Sequence, residues 1–265
     1  GFCGDGMPAM PYEECDNGVM NVAYWAEKGP PPEEACSTAC KEQVPWCGDG
    51  VVQEGVEECD DGDNDDVLDG CHGCKKTRVI FVAQTATELG ALGGLDGADG
   101  LCKEFAVMAQ TPQGQILLKG AAGRTFRAWL STHDNWPAKR FTKQLAGGMY
   151  VGLDGAVIAN DWEDLKDGVL ASVVKHSVAL SNMYKVSVLN QARDVLTHTA
   201  ADGTSKEMSR TTSPCKGWTD TASGNTMVAY YGRANDKTDF TWSEAFPDMM
   251  MALCQTPVTL YCIED

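Results

Sequence analysis

Basic side chains are scarce: 21 Lys and Arg stand against 38 Asp and Glu in 265 residues, a formal net charge of −17. A surface so short of cations cannot displace counterions from a polyanion. That excludes nucleic acid, heparin-like polyanions and anionic membrane surfaces as partners. Long apolar runs are missing too, so no segment reads as a bilayer-spanning helix. No Gly-x-Ser-x-Gly elbow, His-Glu-x-x-His helix, Walker loop or dinucleotide glycine pattern occurs. Histidine is limited to His72, His133, His176 and His198. His176 and His198 read as single histidines in polar settings, without a catalytic role. Gly1-Phe2-Cys3 resembles neither the charged nor the apolar part of a leader. The expectation is a secretory signal already removed.

Cysteine, by contrast, is abundant, with twelve residues. An even number at this density fits a compartment where disulfides persist, and predicts an extracellular or cell-surface protein. Eight lie in the first 77 residues: Cys3, Cys15, Cys36, Cys40, Cys47, Cys59, Cys71 and Cys74. The same stretch holds 18 acidic and 4 basic side chains, net −14, while residues 78–265 are net −3. Cys3-Gly4-Asp5-Gly6 followed by Glu13-Glu14-Cys15-Asp16 recurs 44 positions later as Cys47-Gly48-Asp49-Gly50 and Glu57-Glu58-Cys59-Asp60. Each copy closes with a cysteine pair, Cys36/Cys40 or Cys71/Cys74. Two four-cysteine modules follow, 1–44 and 45–77. Neither has enough apolar residues for a core, so each needs cross-links or metal. Cys71-His72-Gly73-Cys74 admits zinc, but the compartment favours disulfides. Three pairings per module remain open.

From Asp60 to Asp69 six carboxylates crowd ten residues, which destabilises a compact loop unless a cation neutralises them. Ca2+ suits such oxygens, with Asp49, Asp60, Asp61, Asp63, Asp65 and Asp69 as the candidate ligands. An EF-hand is excluded, because Asp66 stands at the turn glycine and His72 at the bidentate glutamate. A merely solvated acidic loop is the alternative. These modules resemble the tandem cysteine-rich repeats of secreted and cell-surface bacterial proteins often named for myxobacteria. The second copy carries the resemblance best; the first inserts Val19 to Pro32. The resemblance implies a stalk or spacer that presents another domain.

Residues 78–265 have the composition of a globular domain. Val79–Ala83 reads as a buried strand. Asp96 can cap a helix whose inner face is Ala98, Leu101, Cys102, Phe105 and Ala109. Thr125–Leu130 reads as a strand, and Met149–Leu153 with Ala156–Ala159 as a hairpin around Asp154-Gly155, a type I′ turn signal. Asn160 or Asp161 can cap a short helix through Leu165. Asp202-Gly203 offers similar turn chemistry. Val258–Ile263 reads as a final strand. The class is α+β with long loops.

These landmarks resemble the endostatin domain, a branch of the C-type-lectin-like fold, and its secreted bacterial relatives most. The matching pieces are Leu92–Asp99, Gly123–Ser131, Asp161–Leu165 with Gly168, Cys215–Thr219 and Leu260–Glu264. The resemblance implies disulfides Cys102–Cys262 and Cys215–Cys254, each contributing about 2–4 kcal/mol. It does not carry over zinc or heparin binding. The histidines are scattered, and only Arg127 lies on a matching motif in an acidic domain. The sugar-and-calcium motifs of true C-type lectins are absent as well.

Trp129, Trp162 and Trp218 fall at matched positions and read as core. Trp136, Tyr230, Tyr231 and Trp242 lie in polar, loop-like segments and are the candidates for an exposed stacking face. Phe246–Met251 reads as a loop packed on the core, with an exposed contact surface of adaptable methionines as the alternative. The functional expectation is a recognition or adhesion protein, not an enzyme, that binds a glycan or surface protein through a lectin-like domain on a disulfide-rich stalk. Two alternatives stand beside it: a subunit binding copies of itself in an extracellular filament or sheath, and an enzyme with a cryptic site.

Overall fold

The computed structural model describes residues 2–26, 29–62, 70–109, 117–142, 148–180, 183–189, 193–206, 215–221, 226–235, 238–244 and 250–265. The chain divides into two compact units, Gly1–Lys76 and Thr77–Asp265.

The first unit has little regular structure. A short hairpin joins β1 (Cys71–His72) to β2 (Lys75–Lys76). The two repeats share one disulfide connectivity, first cysteine to fourth and second to third: Cys3–Cys40 with Cys15–Cys36, and Cys47–Cys74 with Cys59–Cys71. Oxidised sulfur leaves no thiolate for zinc in either module. Buried Cys36, Cys40, Cys71 and Cys74 take the place of a hydrocarbon core. Closing such short loops restricts the unfolded chain by about 3 kcal/mol per bridge. The insertion in the first repeat lies against the start of the second. Trp25 N–H donates to the Pro45 carbonyl at 2.8 Å, and the Tyr24 hydroxyl donates to Glu57 Oε1 at 2.7 Å.

The second unit is α+β. At its centre β3 (Arg78–Glu88) runs antiparallel to β13 (Pro257–Glu264), pairing Ala83 with Leu260 and Phe81 with Cys262. Around them lie β4 (Phe126–Ala128), β5 (Tyr150–Val151), β6 (Val157–Ala159), β7 (His176–Ala179), β8 (Lys185–Val188), β9 (Arg193–Leu196) and β11 (Tyr231–Ala234). The path β11-β9-β13-β3-β5-β6 is extended by β4 on β13, by β7 on β3 and by β8 on β7. A separate ribbon pairs β10 (Thr226–Ala229) with β12 (Met250–Leu253). Phe246 to Met249 lie outside the described residues, so the predicted methionine loop is described only from Met250 onward.

Helix α1 (Gly94–Met108) buries Ala98, Cys102, Phe105 and Ala106, and the Cys102–Cys262 bridge ties it to β13. Its start differs from the expected one: Gly93, at φ 76°, is the N-cap, and Asp96 sits inside the first turn. Near the positive helix end Asp96 still has a favourable electrostatic position. The predicted cap at the short helix α3 (Trp162–Leu165) is present, with Asp161 Oδ1 accepting the Asp164 N–H at 2.9 Å. Between these helices in the chain lies the helical turn α2 (Pro137–Arg140).

The 150–159 hairpin forms, but without a type I′ turn. Gly155 N–H donates to Gly152 O, Gly152 N–H donates to Ala156 O, and only Gly155 of the Asp-Gly pair has positive φ. That is a three-residue loop ending in a left-handed glycine, an alternative geometry compatible with strand twist. Asp202-Gly203 repeats it: Gly203 N–H donates to Ala200 O, and Ala200 N–H to Thr204 O.

The core is aromatic. The Trp129 ring lies 5.1 Å from Trp242, 5.9 Å from Trp162 and 6.1 Å from Phe141. Trp242 therefore corrects the expected exposed stacking residue: it is 1% exposed, with Tyr261 5.6 Å away. Its polar neighbours misled because one of them is buried with it. On the helical turn α4 (Thr241–Glu244), Ser243 Oγ accepts the Trp129 Nε1 proton at 2.7 Å.

Beside this core, Asp99 accepts from Ala128 N–H, Arg127 and Arg140, while Asp265 accepts from Arg127 Nε at 2.7 Å and Thr142 N–H at 2.6 Å. Arg127 is thus engaged internally by two carboxylates. Among the described residues no helix is long and apolar enough to cross a membrane.

Gly232 on β11 passes so close to α4 that an added Cβ would lie 1.9 Å from the Trp242 carbonyl oxygen. Gly232→Ala is expected to lower stability by about 3 kcal/mol through backbone displacement under the aromatic core. Denaturant unfolding of the oxidised protein measures this; an unchanged midpoint would contradict the packing described.

Candidate functional site

In the first unit the signature acids act on the backbone. Asp16 Oδ2 accepts the N–H groups of Gly4 and Gly6, both at 3.1 Å, while its Oδ1 accepts from Gly18 N–H at 2.8 Å and Asn21 Nδ2 at 3.1 Å. Asp60 repeats the arrangement. Its Oδ2 accepts from Gly48 at 3.0 Å and Asp49 at 3.1 Å, and its Oδ1 accepts from Gly62 at 2.9 Å. Asp5 and Asp49 each close their own turn, accepting from Phe2 and Met7 or from Trp46 and Val51. Glu13 Oε2 accepts from Ala9 N–H at 2.7 Å, and Glu57 Oε2 from Gln53 N–H at 2.9 Å.

This geometry gives the repeated motif a physical reason. Gly4, Gly6, Gly48 and Gly50 all hold positive φ, which lets successive N–H groups turn toward one carboxylate. Burial raises the pKa of Asp60, but the N–H groups of Gly62, Gly48, Gly50 and Asp49 outweigh it and hold the carboxyl below its ordinary value. For Asp16, too, burial is outweighed, here by Gly18, Gly6, Asn21 and Gly4. Asp49 and Asp60 were expected to ligate calcium; here their oxygens serve as backbone acceptors. Asp63, Asp65 and Asp69 lie outside the described residues. Among the described residues, the gatherings of ligand-type atoms Glu13/Asp16/Cys40 and Cys47/Glu57/Cys74 each include disulfide sulfur. Such a sulfur carries no thiolate charge for a metal.

The aromatic candidates of the second unit separate. Trp136 is half-buried at the start of α2, with Lys139 Nζ 3.7 Å from its ring centroid. Tyr230 is half-buried where β10 gives way to β11, its ring 5.3 Å from His198. Tyr231, also half-buried, pairs with Leu196 on β9. Burial, reinforced by the charge of Asp194, pushes the Tyr231 phenol up to about 12.

His198, flanked in sequence by Thr197 and Thr199, is completely buried together with both of them. The Tyr230 N–H donates to His198 Nδ1 at 3.4 Å, and the Trp218 ring stands edge-on at 5.6 Å. Trp218 ends a turn, Cys215–Trp218, whose four residues all have positive φ. The Cys215–Cys254 bridge anchors one end of that turn, and the bond from Trp218 Nε1 to the Ser131 carbonyl anchors the other. Three non-glycine residues in this conformation are costly, so fixed ends are needed to hold it.

A second grouping was invisible in sequence. Asp154, on its hairpin loop, meets Lys175 Nζ at 2.6 Å and His176 Nδ1 at 3.5 Å. Burial raises the Asp154 pKa, but Lys175 and His176 outweigh it and bring it below the ordinary value. Burial lowers the His176 pKa, against the opposing pull of Asp154. The trio staples a hairpin loop to β7.

A family model described as a domain of unknown function (DUF4215) matches residues 34–75. That span covers the end of the first repeat and nearly all of the second, so the N-terminal part is a cysteine-rich, repeat-like region. No curated protein matches the chain.

Removing the negative acceptor from either bracket, by Asp16→Asn or Asp60→Asn, is expected to scramble the N-terminal disulfides during oxidative refolding. Peptide mapping of the unreduced product checks this, and native pairing in both variants would contradict it. The pH sign follows from the lowered pKa values. The stabilisation is complete above the unfolded aspartate value of about 3.9 and is lost as pH falls through the folded one. Limited proteolysis of the N-terminal unit across that range is expected to accelerate toward acid.

Proposed function

We propose that this chain works outside the cytoplasm as a recognition or adhesion protein, with an endostatin-like, C-type-lectin-like domain presented by a rigid acidic stalk. The observation that carries this reading is the sulfur chemistry: twelve cysteines form six disulfides and none is free. Such complete oxidation suits an oxidising compartment. The lectin-like assignment is supported by two features. Cys102–Cys262 joins the first long helix to the last strand, and Cys215–Cys254 closes a long loop, the pairs that the endostatin resemblance implies. The first and last strands of the unit also pair antiparallel at the centre of its sheet.

The ligand in this reading is a glycan or a surface protein that stacks on the half-buried rings of Trp136, Tyr230 and Tyr231. Arg127, held by Asp99 and Asp265, offers nothing to a heparin-like chain. Calcium enters this proposal through the acidic loop of the second repeat, with Asp49, Asp60, Asp61, Asp63, Asp65 and Asp69 as the candidate ligands.

Glycan-array binding by the intact protein tests the reading. Trp136→Ala or Tyr230→Ala is expected to weaken the captured ligand at least about tenfold, the loss of one stacked ring. Undiminished binding by both variants would remove these rings from the contact. Silence against glycans and against bacterial surface preparations would reject the recognition role.

A further inference from the structure

The contact between the two repeats runs head to tail. Tyr24 and Trp25, in the insertion of the first repeat, seat on the second: the backbones of Trp25 and Trp46 form a parallel bridge, and the Tyr24 hydroxyl donates to Glu57 Oε1 at 2.7 Å. Such a contact uses a different face on each partner, so the face that receives Tyr24 has a counterpart on the first repeat. Forty-four positions earlier, Phe2 stands for Trp46 and Glu13 for Glu57. The bonds that fix these positions are the same in both repeats. Phe2 N–H donates to Asp5 Oδ2 and Trp46 N–H to Asp49 Oδ2, both at 3.2 Å. Ala9 N–H donates to Glu13 Oε2 at 2.7 Å and Gln53 N–H to Glu57 Oε2 at 2.9 Å. Glu14 N–H meets the Cys40 carbonyl at 3.0 Å, and Glu58 N–H the Cys74 carbonyl at 2.9 Å. The repeats diverge at Met10-Pro11 against Glu54-Gly55, away from the atoms that receive Tyr24 and Trp25.

What differs is the cover. Glu57 is 7% exposed and has both oxygens engaged, Oε2 by Gln53 and Oε1 by Tyr24. Glu13 is 6% exposed, yet among the described residues only Ala9 N–H donates to its carboxylate, at Oε2. A carboxylate oxygen so deeply placed without a donor is costly. In the same frame Phe2 is 73% exposed, where Trp46 is half-buried. We propose that the Phe2–Glu13 face of the first repeat receives a tyrosine-bearing extended segment of a further cysteine-rich repeat. Its hydroxyl donates to Glu13 Oε1 and its backbone runs beside Phe2, as Tyr24 and Trp25 do on the second repeat. Acidity does not oppose this docking. Residues 1–44 hold 8 acidic and 2 basic side chains and residues 45–77 hold 10 and 2, and these two repeats make the same contact with each other. A second copy of this chain is not the occupant, because its Tyr24 is held by its own Glu57 at the effective concentration of one chain. The docking is independent of any ligand of the C-terminal unit.

NMR titration of the isotope-labelled full chain with the peptide Val-Ala-Tyr-Trp-Ala, the sequence of residues 22–26, and with its Tyr→Phe analogue tests the proposal. The N–H resonances of Asp5 and Ala9 are expected to shift while those of Asp49 and Gln53 stay. The phenylalanine analogue is expected to bind at least about tenfold more weakly, for want of the hydrogen bond to a charged acceptor. Glu13→Gln, which keeps an acceptor for Ala9 N–H, and Phe2→Ser are each expected to weaken the tyrosine peptide about tenfold. Unreduced peptide mapping verifies that both variants keep their native bridges. Unmoved Asp5 and Ala9 resonances, equal affinity of the two peptides, or undiminished binding by either variant would each overturn the proposal. So would self-association of the wild type, measured by sedimentation and lost in Glu13→Gln, which would give the face to a second copy.

Discussion

The architecture depends most on carboxylates that accept hydrogen bonds from backbone N–H groups. In the N-terminal unit this interaction does what a hydrocarbon core does elsewhere. Asp16 and Asp60 each gather N–H groups from both sides of a cysteine loop, and Asp5, Asp49, Glu13 and Glu57 close the turns between. Charge-assisted bonds of this kind are stronger than neutral ones and leave few backbone groups unpaired. Disulfides then fix the ends of the same loops. The acidity of the unit is thus partly structural, and its net charge follows from how its loops close.

The same chemistry recurs in the C-terminal unit on a conventional core. Asp154 accepts from Ala156 N–H, Asp202 from Thr204 N–H, Asp167 from Val169 N–H and Asp239 from Thr241 N–H, each two residues ahead in the chain. Asp161 caps α3. Aspartate terminates strands and starts helices, while the packed indoles of Trp129, Trp162 and Trp242 hold the layers together. Asp99 and Asp265 are the exceptions, a half-buried and a buried carboxylate matched by Arg127 and Arg140. Removing one partner of such a group strands a charge, which is why this network belongs to the scaffold.

Much of this organisation was legible. The repeat, the boundary near residue 77, the α+β class, α1 with its buried Cys102 and the cap at Asp161 all rest on local patterns that tertiary contacts left intact. The candidate sites were less legible. At Asp49 and Asp60 composition displays crowded charge but hides the donors, which are N–H groups and have no letter of their own. The available signal was glycine next to aspartate at repeated positions. Trp242 was misplaced for a related reason: its polar neighbour Ser243 is buried as a hydrogen-bond partner. The Asp154–Lys175–His176 contact joins residues about twenty apart, on a loop and a strand, with no periodicity to reveal it.

The carboxyl titration of Asp16 and Asp60 in the oxidised protein, followed residue by residue by NMR, tests this account most directly. Both groups should titrate below the ordinary aspartate value of about 3.9, and the N–H resonances of Gly4, Gly18, Gly48 and Gly62 should shift with them. Titration at or above the ordinary value, with those resonances unmoved, would show that the brackets do not hold the N-terminal unit together.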